Sequence, residues 1–129
     1  MFLDKEDNIL VNETAPRAHN SGHQSIEGNF CSQYDMQMRI LQNFPLGSTD
    51  PIHPSLMLNL IGEPEHNGPV YYEGIEHVLK IKGVYVHLYG KHETKPGRKM
   101  GHVTILGEDR NELLEKADKV RKFLRVISR

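Results

Sequence analysis

One twelve-residue stretch concentrates side chains that could do chemistry. Residues 12–23 combine a carboxylate, a guanidinium, two imidazoles and several amides. Glu13 and the neighbouring Asn12 offer oxygen ligands of the kind that Mg²⁺ prefers, with room for waters and phosphate oxygens. Arg17 presents a planar fork that matches carboxylate, bicarbonate or phosphate. A lone carboxylate is more often a plain surface group, so the residue types alone leave a metal role open.

The two histidines of this stretch, His19 and His23, could act as bases, hydrogen-bond donors or metal ligands. Their spacing of four residues would put them on one side of a helix, as in zinc proteases. However, Asn20–Gly22 between them is poor helix sequence, and no glutamate follows His19. The pattern therefore argues against a metallohydrolase.

A second concentration of chemistry lies in residues 90–101. Lys91, Arg98 and Lys99 flank Pro96 and Gly97, so three cations and exposed backbone amides could converge on one phosphate. A basic, solvated hairpin loop would have the same composition. Because the chain contains no glycine-rich phosphate loop of either common type, the spacing alone leaves both interpretations open.

The first polar stretch follows a predicted β-hairpin. Met1–Leu3 and Ile9–Val11 flank a turn-rich pentapeptide, and Ile9–Val11 is predicted to be a short buried strand. Pro16 ends that strand because it has no N–H for the ladder. Residues 12–23 should therefore lie where a strand runs out into a loop, which is a common place for functional groups.

A helix and a linker complete the first part of the chain. Ser32 begins a capping pattern, and the helix should run to about Asn43 with Tyr34, Met38 and Leu41 on one stripe. The linker that follows contains Pro45, Gly47 and Pro51. This composition predicts a boundary near Leu46.

The second part is predicted to be a small β structure closed by a helix. In order, we expect a buried strand over Ser55–Gly62, a loop over Glu63–Pro69, a short helix over Glu73–Ile81, a strand over Val84–Tyr89 and its partner over His102–Leu106. Asp109 is the predicted N-cap of a terminal helix. Its apolar positions are Leu113, Ala117, Val120, Leu124 and Ile127.

Composition limits the class of protein. The net charge of −1 over 129 residues excludes a general polyanion binder, although residues 1–90 carry 5 basic and 11 acidic side chains and residues 91–129 carry 11 and 6. This asymmetry suggests that the two parts meet or share an anionic ligand. Cys31 is the only cysteine, and no apolar run approaches the ~20 residues of a membrane span. We therefore expect a cytoplasmic protein that binds neither nucleic acid nor membrane.

The motifs, taken jointly and in order, resemble a known family. The matching segments are residues 12–23, 32–34, 46–49, 59–62, 88–91 and 96–102. Together they resemble the late part of the N5-carboxyaminoimidazole ribonucleotide synthases. These are ATP-grasp ligases, the ATPase subunits of phosphoribosylaminoimidazole carboxylase in purine biosynthesis. Ala18 and Gln24 depart from the family pattern, which puts none of the site residues in doubt.

This resemblance implies a fold and an activity. The fold is of the α+β class: residues 1–46 would be the hairpin, active-site loop and helix that end an ATP-grasp domain. Residues 47–129 would be the small hybrid-type β domain, closed by the C-terminal helix. The implied reaction uses ATP and bicarbonate to carboxylate the exocyclic amine of aminoimidazole ribonucleotide through carboxyphosphate.

The resemblance also implies residue roles. Asn12 and Glu13 would serve ATP and Mg²⁺, with Glu13 as the metal ligand. Arg17 and His19 would hold bicarbonate or carboxyphosphate and the substrate amine, as the catalytic pair. The clamp on the 5′-phosphate of the ribonucleotide would comprise Lys91, Arg98 and, nearby, Lys99.

The chain is much shorter than full members of the family. It therefore resembles their C-terminal third, and we expect it to be inactive without the remainder of the synthase, in a parent that would be a homodimer. A free-standing, non-catalytic module that binds a phosphoribonucleotide or a partner is the alternative. The joint presence of five cationic and acidic site residues argues against it; these are Glu13, Arg17, His19, Lys91 and Arg98.

Overall fold

The computed structural model describes residues 2–129, and it has mixed α and β structure. In chain order the elements are β1 (Phe2–Leu3), β2 (Ile9–Leu10), a 3₁₀ turn (Asn20–Gly22), α1 (Ser25–Gly28), α2 (Gln33–Leu41), β3 (Ser55–Ile61), β4 (Gly68–Glu73), α3 (Ile75–Val78), β5 (Val84–Leu88), β6 (Glu93–Thr94), β7 (Lys99–Leu106), α4 (Arg110–Phe123) and β8 (Arg125–Ser128). Met1, which the predicted hairpin includes, lies outside the described residues. Within residues 2–129, no helix is long and apolar enough to cross a bilayer.

The predicted N-terminal hairpin is confirmed, but its burial is not. Strands β1 and β2 pair antiparallel with Leu3 opposite Ile9. The carboxylate of Asp4 closes the turn by accepting from the backbone N–H of Asn8 at 2.8 Å. The prediction of a buried strand is wrong: Ile9 is 69% exposed and Val11 80% exposed. An aliphatic run predicts an extended backbone. Burial also requires a layer of other residues packed over the strand, and the described residues supply no such layer over this hairpin.

Helix α2 forms as its capping sequence predicts. The Ser32 hydroxyl accepts from the backbone N–H of Asp35 at 3.0 Å, and the helix ends at Leu41. The predicted stripe of this helix is only partly covered, since Met38 and Leu41 are 53% and 71% exposed. The first part of the chain thus keeps a broad apolar surface on both its hairpin and its helix.

The core lies in the second part of the chain. Strands β3, β7 and β5 form one antiparallel sheet with β7 in the centre, and β6, β4 and β8 form another with β4 in the centre. The predicted pairing of the strand after Gly83 with the strand that ends at Leu106 is confirmed. Helix α4 packs with both sheets around buried side chains, of which the most enclosed are Val78, Met100, Val103, Ile105, Ala117, Val120 and Val126.

Two elements were assigned wrongly from the sequence around residues 68–81. Strand β4 begins in the segment predicted to be a loop, because its aromatic and β-branched residues find a partner strand on each side. The predicted helix over Glu73–Ile81 shrinks to Ile75–Val78. Gly74 separates the strand from the helix with φ of +73°, and a Cβ there would collide with the backbone carbonyl of Phe123.

The terminal helix is also shorter than its apolar spacing suggests. Leu124 has extended backbone and ends the helix, and Ile127 lies in β8 opposite Tyr71 rather than on the helix. The second part of the chain therefore ends with a helix followed by a strand. The loop predicted over residues 90–101 likewise contains β6 and the start of β7.

The N-cap of α4 gives a stability prediction. The Asp109 carboxylate accepts from the backbone N–H groups of Asn111 and Glu112 at 2.8 and 2.9 Å. Asp109→Ala should lower the free energy of unfolding by about 1 kcal/mol, because two helical N–H groups lose their acceptor. Urea unfolding measures this change. Asp118→Ala on the same helix removes only an exposed pair with Arg121 and should cost less than about 0.5 kcal/mol; equal losses would contradict the capping role.

Candidate anion site

The backbone of His19 is held by the first turn of α2. The Gln33 side chain accepts from the His19 N–H at 3.0 Å, and the Tyr34 hydroxyl donates to the His19 carbonyl at 3.3 Å. Gly22 lies directly against the Gln33 amide, and a Cβ at that position would collide with it. The helix start thus fixes the course of a loop that has little regular structure of its own.

The hydrogen bonds of the His19 side chain define what it can donate. Its Nδ1 lies 3.4 Å from the backbone N–H of Ser21 and 3.2 Å from the Ser21 hydroxyl. Because the backbone N–H can only donate, Nδ1 is the acceptor and the neutral imidazole carries its proton on Nε2. His19 is therefore prepared to donate an N–H to an anionic oxygen.

Two contacts join this loop to the hairpin of residues 89–102. The Lys99 ammonium donates to the side-chain oxygen of Asn20 at 3.2 Å. The Tyr89 hydroxyl lies 3.3 Å from Nε2 of His23. The structure thus brings together the two stretches that the sequence singled out, although they lie about seventy residues apart.

Two cations of the hairpin donate to backbone carbonyls of the hairpin itself. The Lys91 ammonium donates to the carbonyl of Lys99 at 2.5 Å, and the Arg98 guanidinium donates to the carbonyl of Glu93 at 3.0 Å. Lys91 and Arg98 are half-buried, while Lys99 is exposed. With Lys95, one short hairpin carries four cations, which favours a multiply charged anion as its ligand.

The remaining predicted residues lie at the edge of this arrangement. Arg17 is exposed and lines a groove of about 690 Å³ along α2, together with Gln33, Met36 and Ile40. Asn12 and Glu13 lie after the end of β2, outside the helices and strands, and are exposed. The part of the chain that the structure describes does not bring these two side chains into contact with the hairpin cations.

A histidine cluster behind the loop was not predicted from the sequence. His102 is 2% exposed, stacks on His87 at 4.5 Å and meets the ring of His23 at 4.3 Å. Burial, followed by the neighbouring imidazoles His23 and His87, lowers the pKa of His102 to about 4. Burial also lowers the pKa of His23, with smaller contributions from His87 and Lys99. His87 and His102 come together through the register of β5 and β7, which no spacing along the chain indicates.

Comparison with known proteins finds similar sequences for both the first and the second part of the chain. A family model described as the phosphoribosylaminoimidazole carboxylase C-terminal domain matches residues 55–116, and an ATP-grasp domain model matches residues 1–34. The crystal structure of N5-carboxyaminoimidazole ribonucleotide synthetase from Thermotoga maritima superposes with a TM-score of 0.95 at 48% identity, over 100% of this chain and 36% of that one. The chain belongs to the N5-carboxyaminoimidazole ribonucleotide synthase family.

Other members of the synthase family show the same relationship. The Aquifex aeolicus synthase is 38% identical over 124 residues, which are 96% of this chain and 32% of that protein. The Aspergillus clavatus synthase, solved with ADP and 5-aminoimidazole ribonucleotide, superposes with a TM-score of 0.81 at 36% identity, covering 95% of this chain and 33% of that one. The chain spans about a third of the length of the curated synthases it matches.

Proposed function

We propose that this chain supplies part of the active site of an ATP-dependent ligase that carboxylates 5-aminoimidazole ribonucleotide with bicarbonate. The observation that carries the proposal is the direct contact between the loop of Arg17 and His19 and the hairpin of Lys91 and Arg98. Relatives solved with ATP, and with ADP and the aminoimidazole ribonucleotide, support the substrate assignment.

The proposed reaction proceeds in two steps. A bicarbonate oxygen attacks the γ-phosphorus of ATP, which forms carboxyphosphate and releases ADP. The exocyclic amine then attacks the carboxyl carbon, phosphate leaves, and the amine gives up a proton. Arg17 and His19 would hold the carboxyphosphate oxygens, since a guanidinium fork and an imidazole N–H both donate to anions. Correct placement of the amine beside this mixed anhydride would supply much of the rate.

The hairpin cations would hold the other end of the substrate. Lys91, Arg98 and Lys99 are the proposed contacts to the 5′-phosphate of the ribonucleotide. The backbone carbonyls that hold Lys91 and Arg98 support this role, because cations that are already positioned lose little entropy when the phosphate binds.

Asn12 and Glu13 would serve ATP and its metal. One carboxylate and one amide oxygen suit Mg²⁺, which keeps waters and phosphate oxygens as its other ligands. The described residues contain no group of three or more histidine, cysteine or acidic ligands around a common point. Glu13 is proposed as the metal ligand that this chain contributes, in a site that it shares with ATP, water and the remainder of the synthase.

The proposed domain organisation follows the two family matches. Residues 1–46 would belong to an ATP-grasp domain and residues 47–129 to the C-terminal domain. The exposed apolar side chains of β1, β2 and α2 support this division, because such a surface is expected to pack against the remainder of the ATP-grasp domain. The free thiol of Cys31 suits a cytoplasmic enzyme, and we propose a homodimeric parent.

Activity measurements test the proposal. A longer synthase polypeptide that carries this sequence in its C-terminal part should incorporate labelled bicarbonate into aminoimidazole ribonucleotide in an ATP-dependent reaction. The 129-residue chain by itself should show no turnover, because Glu13 and Asn12 supply only part of an ATP site. Turnover by the purified 129-residue chain would contradict the composite site, and an inactive longer polypeptide that binds the ribonucleotide would favour a non-catalytic binding module.

A further inference from the structure

The tautomer of His23 can be deduced from its partners. Its Nδ1 lies 2.9 Å from the backbone carbonyl of Asn20 and 3.1 Å from the Tyr34 hydroxyl. The Asn20 carbonyl can only accept and is the shortest of the Nδ1 contacts, whereas the Asn20 amide nitrogen, which can only donate, lies farther away at 3.4 Å. Nδ1 therefore carries the proton, and Nε2 of the neutral ring carries a lone pair. The Tyr89 hydroxyl, which is 3.3 Å from Nε2, is therefore the donor in that contact.

This assignment fixes the direction of the next hydrogen bond. The Tyr89 hydroxyl has one proton, and it is used on His23. Its second contact is with Nδ1 of His102 at 3.1 Å, so Nδ1 of His102 must donate to the Tyr89 oxygen. The buried Nε2 of His102 is then a lone pair, and it has no hydrogen-bond partner among the described residues. Leaving an acceptor unpaired avoids the cost of burying a charged imidazolium.

The far end of the same path reaches the predicted catalytic loop. The single Nδ1 proton of His23 is shared between the Asn20 carbonyl at 2.9 Å and the Tyr34 oxygen at 3.1 Å, and because this nitrogen has no lone pair, the Tyr34 proton is available for the carbonyl of His19 at 3.3 Å. In each hydrogen bond of this series the donor therefore lies on the side of His102 and the acceptor on the side of His19. We define the directed chain as the side chains of His102, Tyr89, His23 and Tyr34, in that order, ending on the His19 carbonyl.

We propose that the directed chain sets the position of His19 relative to the cationic hairpin, and that its four side chains are positioning residues of the anion site. It begins on β7, three residues after Lys99, and ends at His19, whose neutral imidazole carries its proton on Nε2. The directed chain does not transfer a proton in this role, because its function is to fix the distance between His19 and the cationic hairpin. This inference rests on the proposed function of Arg17, His19 and Lys91 as an anion site.

Inorganic phosphate and the unaltered 129-residue chain provide the test. Phosphate should shift the NMR resonances of Arg17 and His19, and Tyr89→Phe should weaken the apparent affinity about fivefold, as expected for loss of one hydrogen bond. Tyr34→Phe, which breaks the last link, should have a similar effect. The matched control is Tyr85→Phe on the same strand, where the side chain is 44% exposed, and its affinity should not change.

Imidazole ¹⁵N chemical shifts report which ring nitrogen carries the proton, and they would not change if these side chains only supported the fold. At pH 7 both His23 and His102 should be neutral and protonated on Nδ1, and Tyr89→Phe should remove the fixed tautomer of His102. Phosphate affinity that is unchanged in both phenylalanine variants would overturn the positioning role but leave the anion site intact. If the unaltered protein does not bind phosphate, the anion site is overturned and this inference with it. If His102 is protonated on Nε2, the directed chain of hydrogen bonds is overturned, whatever the phosphate affinity.

Discussion

Replacing Arg17 by alanine in a full-length synthase that carries this sequence should lower kcat/KM for the ribonucleotide by at least about a hundredfold, the usual effect of removing one donor to a charge that develops in the transition state. Arg17 is exposed, so the loss should come from chemistry rather than folding. Steady-state kinetics with labelled bicarbonate measures the effect. The thermal midpoint should stay within about two degrees, as for other substitutions at exposed positions.

Two further variants distinguish the charge of Arg17 from the geometry of its guanidinium, and both from a general effect of removing an arginine. Arg17→Lys keeps the charge but loses the planar fork, and should recover only part of the activity. Arg39→Ala removes an arginine of α2 that pairs with Asp35 at 3.0 Å, and should leave kcat/KM unchanged. If Arg17→Ala and Arg39→Ala lower activity equally, Arg17 has no special role in binding the anion.

Acidification should destabilise the chain through His102. In the folded state burial lowers the pKa of His102 to about 4 from its usual 6.5, with further contributions from His23 and His87. Between these values the unfolded chain binds a proton that the folded chain does not, so the stabilisation is present above pH 6.5 and is lost as pH falls towards 4. Between pH 7 and pH 5 this residue alone should lower the free energy of unfolding by about 2 kcal/mol. Urea unfolding at the two pH values checks the prediction.

The neighbours of His102 determine the controls. It faces His23, His87 and Tyr89, and His87 in turn lies 2.6 Å from the Glu27 carboxylate. His102→Gln should reduce the pH-dependent loss, whereas His77→Gln, at a position whose side chain is 57% exposed, should not. If the glutamine variant does not fold, NMR titration of His102 in the unaltered chain replaces it. An apparent pKa near 6.5 would contradict the burial argument.

The sequence predicted local features well where they depend on neighbours along the chain. Ser32 and Asp109 cap their helices as expected, because a capping side chain needs only backbone N–H groups two or three residues away. The stretch around His19 and the hairpin around Lys91 were identified by residue type. Their contact followed from no local pattern, and the shared ligand was predicted from the charge asymmetry of the chain and from the family resemblance.

Features that depend on tertiary partners were predicted poorly. Ile127 fits the apolar spacing of the preceding helix, yet it lies in a strand because Tyr71 of β4 pairs with it. Ile9 has the composition of a buried residue, but burial depends on a layer that the described residues do not provide. The histidine cluster was missed for the same reason. His87 and His102 become neighbours only through the strand register.

The pairing of β4 with β8 has a consequence for synthesis of the chain. Val70 of β4 lies opposite Ser128, so one partner strand is translated almost sixty residues after β4 itself. During that interval β4 has an unpaired edge on the ribosome, and such edges are prone to pair with other chains. The aromatic residues of β4 would be protected only when translation has passed α4 and Arg125–Ser128 has left the exit tunnel. Slow codons between β4 and β8 would lengthen the period in which β4 has an unpaired edge, whereas rapid translation of α4 and β8 would shorten it.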